Sequence, residues 1–217
     1  PHNNSLGVPM IGVALRRPLR KKDFPYQDTR VYPGTTDAAQ VQAAVDALAG
    51  TGKVLRLQKD RVYNIATPIQ LRSGLDIEIP DGTVILTTGN NVFVDNGIAL
   101  TGVRIFGRGR IATNAPTGWG ATAIYCTAVG ANQMTDLTVD GLEFVGVARG
   151  IHVMRGQKIR ALNLRATDLR SSLFYTGGAI DDGRTYDVEV ANCEATNCGT
   201  YAASAQSSLV VLSYTDN

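Results

Sequence analysis

Leu55-Arg-Leu57, Ile77-Glu-Ile79 and Val103-Arg-Ile105 repeat one short pattern, an apolar residue on each side of a polar one, at separations of 22 and 26 positions. Four further segments continue it: Leu137-Thr-Val139, Leu162-Asn-Leu164, Val188-Glu-Val190 and Leu209-Val-Val211, at intervals of 34, 25, 26 and 21. In an extended strand, residues i and i+2 share a face. Each triplet therefore sends two apolar side chains to one side and one side chain to the other. A single strand of this kind cannot bury its apolar face alone, but strands stacked about 4.8 Å apart cover one another. Repetition at a fixed period is the mark of a solenoid. The pattern predicts an all-β chain, a right-handed parallel β-helix with coils of about 21–27 residues.

A second series lies between these triplets: Val92-Phe-Val94, Ile124-Tyr-Cys126 and Ile151-His-Val153, with Ile180 near its next place. Two or three strands per coil follow. Small or polar residues suited to a bend come two positions after the first-series strands: Asp81, Gly107, Gly141, Ala166, Asn192 and Ser213. Asn192 fits either a ladder of stacked amides or an ordinary turn. A β-sandwich would place turn signals every 8–12 residues, and an α/β fold would alternate helices with strands. Neither matches.

One helix is expected, over about 36–49. Thr36 is a suitable N-cap and Asp37 an anion in the first turn. Val41, Ala44, Val45 and Leu48 form a single apolar stripe, and Gly50 stands where a C-terminal glycine belongs. Residues 1–33 hold five of the eight prolines and the basic run Arg16, Arg17, Arg20, Lys21 and Lys22, and are expected to form an extended arm. The rest, 34–217, is the helix plus the solenoid. Because Leu209-Val-Val211 opens another coil and no capping pattern follows, the solenoid is expected to continue beyond this chain or to be completed by a partner.

The stretch Gly34-Thr-Thr-Asp-Ala-Ala-Gln-Val-Gln-Ala-Ala-Val-Asp-Ala-Leu-Ala-Gly-Thr-Gly-Lys-Val-Leu-Arg-Leu57 resembles the opening motif of the pectate-lyase-like β-helix superfamily. Gln58-Lys-Asp-Arg-Val-Tyr63 is similar to the turn that follows in that family, and Thr67-Pro-Ile-Gln-Leu-Arg-Ser-Gly-Leu75 to the next segment. The resemblance covers roughly residues 34–90 by motif. It implies a helix that caps the open end of the tube, and it implies polysaccharide as the substrate class. Within this superfamily it points to a bacteriophage tailspike or tail fibre that binds and degrades capsule or O-antigen, a homotrimer carried on the virion tail or baseplate through its N-terminal arm. Two alternatives stay open: a secreted polysaccharide lyase or glycoside hydrolase, and a non-catalytic structural or adhesion β-helix.

Composition agrees with a globular chain: 44% hydrophobic residues, 18% charged and a formal net charge of +2. A balance so near neutral gives no reason to expect a nucleic-acid partner. The longest apolar stretch, Leu6 to Leu15, is too short to span a bilayer. Cys126, Cys193 and Cys198 lack metal-ligand spacing and read as small packed residues, so neither a metal nor a cofactor is expected.

Candidate site residues follow from the chemistry of glycan cleavage. Hydrolysis needs two carboxylates flanking the glycosidic bond, and elimination needs a base beside a proton alpha to a carboxylate. Asp181 and Asp182, in Gly177-Gly-Ala-Ile-Asp-Asp-Gly183, are the catalytic candidates, although Asp-Asp-Gly is also an ordinary turn sequence. The polygalacturonase-type Gly-His-Gly and Arg-x-Lys motifs are absent, so that family's catalytic roles do not transfer. If Ile124, Ile151 and Ile180 share an inward column, Tyr125, His152 and Asp181 line up outside on neighbouring coils as a substrate-binding face. The other reading of that face is a solvated sheet. Trp119 falls within the longest interval and reads as a loop residue that either stacks on sugar or anchors the loop.

Overall fold

A computed structural model describes residues 26–113, 121–127, 133–177, 185–199 and 210–212. The chain opens with β1 (Tyr26–Asp28), a short 3-10 turn at Thr29–Val31 and the helix α1 (Asp37–Leu48). Strands then come in threes: β2 (Val54–Arg56), β3 (Val62–Ile65) and β4 (Ile69–Gln70), followed by β5 (Leu75–Ile79), β6 (Val84–Thr87) and β7 (Phe93–Val94). Next are β8 (Leu100–Gly107), β9 (Arg110–Thr113) and β10 (Thr122–Cys126), then β11 (Met134–Asp140), β12 (Glu143–Val145) and β13 (Arg149–Val153). The last are β14 (Gly156–Leu162), β15 (Arg165–Thr167), β16 (Phe174–Thr176), β17 (Thr185–Ala191), β18 (Glu194–Thr196) and β19 (Val210–Leu212).

The chain visits three parallel sheets in one cyclic order. The first sheet is β1-β2-β5-β8-β11-β14-β17, the second β3-β6-β9-β12-β15-β18 and the third β4-β7-β10-β13-β16-β19. The protein is mostly β, with parallel sheets of stacked strands, an arrangement consistent with a β-helix solenoid. Among the described residues no helix is long and apolar enough to cross a membrane.

The core is built from aligned inward columns. Leu55, Ile77, Ile105, Val139 and Ala161 succeed one another in the first sheet, all buried. Tyr63, Ile85, Ile111, Phe144 and Ala166 do so in the second, and Phe93, Ile124, Ile151 and Phe174 in the third. Cys126 is buried in this core, and burial pushes its thiol well up, which keeps it protonated; Cys193 and Cys198 are half-buried, and all three are free.

The register corrects several expectations. Leu162-Asn-Leu164 is not a strand triplet; Ile159-Arg-Ala161 takes that place, paired with Leu137-Thr-Val139 and Val188-Glu-Val190. Leu162 ends the strand, and Asn163 and Leu164 turn the bend, with Asn163 at φ 54°. Val210 pairs with Phe174, so the last segment belongs to the third sheet rather than the first. Ala166 is an inward strand residue, not a bend. In each case an apolar run of ambiguous phase allowed a slip that hydrogen-bond register forbids.

Asn192 does join a ladder. Its Nδ2 donates to Asn163 Oδ1 at 3.3 Å, and Asn163 Nδ2 donates to Asp140 Oδ1 at 2.8 Å. Asn163 and Asn192 continue a column of left-handed bend positions begun by Gly107 and Gly141. Asn tolerates that backbone region better than most residues.

The helix forms as expected, with Thr36 Oγ1 accepting from Ala39 N at 3.1 Å. Its buried stripe, Val41, Ala44, Val45 and Leu48, lies against β2, β3 and β4. Its polar side chains complete strand edges. Gln42 Oε1 accepts from Gln70 N at 2.7 Å and Gln42 Nε2 donates to Gln70 O at 3.2 Å. Asp37 Oδ2 accepts from Asn64 N at 2.8 Å. An edge left unpaired is costly and invites aggregation. Gln42→Ala is therefore expected to lower stability by about 1–2 kcal/mol, measured by urea unfolding. Before the helix, β1 adds a parallel strand to β2, and buried Thr29 bonds the Tyr63 hydroxyl at 2.7 Å. The segment from Tyr26 onward thus belongs with the stacked sheets, and residues 1–25 of the expected arm lie outside the described residues.

Candidate functional site

The third sheet carries an outward column in register: Val94, Tyr125, His152 and Tyr175. Each sits beside an inward apolar residue, Phe93, Ile124, Ile151 and Phe174. Alternation along the strand makes the apolar residue face the core and its neighbour face out. Tyr125 and His152 are adjacent, as the sequence suggests. The next position is Tyr175, not Asp181, because Phe174 rather than Ile180 pairs with Ile151. Asp181, Asp182 and Trp119 lie outside the described residues.

The three rings stack across strands. The His152 ring centroid is 5.1 Å from that of Tyr125, tilted by 60°. It is 4.6 Å from that of Tyr175, edge-on at 89°. Such pairs add about 0.5–1.5 kcal/mol each beyond burial. From the same strand as His152, Arg149 places its guanidinium 4.5 Å over the Tyr175 ring. Burial lowers the Arg149 pKa, yet the group remains cationic.

No protein-family model, curated protein or solved structure matches this chain.

The chemistry of the face therefore rests on its own geometry. Although it faces outward on the sheet, His152 is only 7% exposed. Its Nε2 lies 3.1 Å from Gly177 O. A carbonyl oxygen only accepts, so Nε2 carries the proton and Nδ1 of the neutral ring is a bare acceptor. That Nδ1 is buried and has no hydrogen-bond partner among the described residues. Burial pushes the His152 pKa down to about 4, against the Gly177 bond, which raises it; the Arg149 charge lowers it further. At neutral pH the ring is uncharged and Nδ1 can accept a proton or a hydroxyl hydrogen bond. Flanking it are two phenols that donate or accept and one fixed cation suited to an anion.

Sequence reading missed Tyr175 and Arg149. Leu173-Phe-Tyr-Thr176 carries the same apolar–aromatic alternation as the rest of the series and was the available signal. Arg149 gave none, since its role depends on the ring in the neighbouring strand. Among the described residues, no three His, Cys, Asp or Glu side chains converge to hold a metal.

Proposed function

We propose that this chain is a segment of a bacteriophage tailspike or tail fibre, a right-handed parallel β-helix that binds host capsule or O-antigen and degrades it at the face carrying His152. The observation that carries the reading is the buried, unpartnered His152 Nδ1 between Tyr125 and Tyr175. A solvated sheet face has no use for a desolvated base with an orphan acceptor, whereas a catalytic site does. Aromatic rings offer faces to sugars, and Arg149 offers a partner to acidic groups on them. The segment whose first carbonyl His152 holds, at Gly177, runs on to Asp181 and Asp182, the proposed carboxylates. The cyclic order of the three sheets and the cap helix support the β-helix part of the reading. In this account the protein is a homotrimer attached to the virion tail through its N-terminal arm.

The test is incubation of the protein with purified bacterial capsular and O-antigen polysaccharides, following reducing ends and the ultraviolet absorbance of unsaturated products. Oligosaccharide release is expected. It should fall at least about 100-fold in His152→Phe, in keeping with loss of a general acid–base group, and in Asp181→Ala or Asp182→Ala. Unchanged release in all three variants would remove the face from the account.

A further inference from the structure

The outer face of the first sheet holds a groove of about 1160 Å³ that the His152 face does not share. Tyr26, Arg56, Glu78, Arg104, Phe106 and Arg108 line its N-terminal half. Arg56, Glu78, Phe106 and Asp140 follow one another in register across β2, β5, β8 and β11, and the groove continues to Asn163 near β14. From β1 to β14 that is five strand spacings, roughly 24 Å at about 4.8 Å each. Such a length suits an extended polymer rather than a compact ligand.

Two guanidiniums sit over aromatic rings here. Arg104 lies 4.2 Å over Phe106, and Arg56 lies 5.1 Å over Tyr26. A guanidinium held over a ring keeps its N–H donors available, and its fork can receive a carboxylate bidentately. Arg104 and Arg108 form no ion pair among the described residues. Between the two stacks sits Glu78, its side chain 7% exposed. Arg56 Nε is 3.2 Å from Glu78 Oε2, an ion-pair distance, yet the N–H is not aligned on the oxygen, which has no hydrogen-bond partner among the described residues. A buried carboxylate oxygen with a lone pair to spare is an acceptor for a hydroxyl.

We infer that this groove is a second glycan-binding site, one that takes a chain bearing carboxylate sugars. Arg104 and Arg108 hold the carboxylates, and Glu78 accepts a sugar hydroxyl. Asp81, Asp140 and Glu143 interleave with the basic residues along the groove. They oppose a nucleic acid, with a phosphate at every nucleotide, but hydrogen-bond readily with sugar hydroxyls. The polymer class rests on the polysaccharide reading above; the site does not.

The test is calorimetric titration of the whole chain with hyaluronan octasaccharide, maltoheptaose and a single-stranded DNA dodecamer. Hyaluronan is expected to bind saturably, at least about tenfold more tightly than maltoheptaose or the DNA, and more weakly at raised salt. Arg104→Ala with Arg108→Ala should weaken it at least about tenfold, the cost of a charge-assisted bond. Arg104→Lys, which keeps the charge and loses the fork, should recover little of it. Absence of saturable hyaluronan binding, indifference to the double substitution, or DNA binding of equal strength overturns the inference. Groove binding without cleavage of any polysaccharide would sink the catalytic reading alone, and cleavage without groove binding would sink this one alone.

Discussion

Gly107→Ala is expected to lower stability by about 3 kcal/mol or more, enough to remove much of the margin of an ordinary domain. Gly107 has φ 134°, a region that side-chain-bearing residues rarely adopt. A Cβ there would run into the carbonyl oxygen of Ile79, one strand below, and that clash is with backbone. The left-handed strain alone accounts for about 1–3 kcal/mol, and the clash adds to it. Ile79 cannot retreat, because its own strand is paired in register with β2 on one side and β8 on the other. Gly97→Ala is the matching control. It also has a positive φ, 72°, but open space around the added methyl. It should cost only about 1–2 kcal/mol. Equal costs at the two positions, by urea unfolding, would contradict the close stacking of β5 on β8.

The second large effect is on acid stability. His152 has its pKa pushed down to about 4 from 6.5 in the unfolded chain. The unfolded state therefore takes up the proton first as pH falls. The stability that this group contributes is complete above pH 6.5, is lost progressively between there and pH 4, and changes no further below. The shift corresponds to about 3 kcal/mol. Carboxylates also titrate near the lower end, so the quantity to measure is the difference between the native chain and His152→Phe, which keeps a ring between Tyr125 and Tyr175. That difference should move by about 3 kcal/mol in favour of His152→Phe from pH 7 to pH 4. A difference independent of pH would mean that His152 is solvated and its Nδ1 is not an orphan.

The sequence made the strand type, the parallel stacking and the helix legible, for separate reasons. Val41, Ala44, Val45 and Leu48 have a helical period with an N-cap before them, and local rules suffice for that. The triplets at Leu55, Ile77, Val103 and Leu137 show alternation, but alternation fixes the face of a strand and not its partner. Ile77 pairs with Ile105, while Leu75 pairs with Val103, a slip of two that leaves every side chain on the correct face. The second sheet went unread because its inward column includes small residues such as Ala166 and Ala195, which weaken the apolar alternation. At the candidate site, Tyr125 beside His152 was legible from two aligned triplets. The glycines near Ile180 misled the extension of that column, and Tyr175 has its place by register alone. The groove on the first sheet was invisible in sequence. Glu78 and Arg104 read as neighbouring outward residues of two aligned triplets, whereas the pairing of β5 with β8 sets Glu78 beside Phe106 and Arg104 beside Asp76.

The most direct test of the central claim, that glycan is bound and cut at the outer face of the third sheet, is amide hydrogen exchange with and without a polysaccharide that the protein degrades, using a slowly turning-over variant such as His152→Phe. The account predicts slowed exchange around Tyr125, at position 152 and around Tyr175 when glycan is present. Protection confined to other strands, with none of these three positions affected, would contradict it.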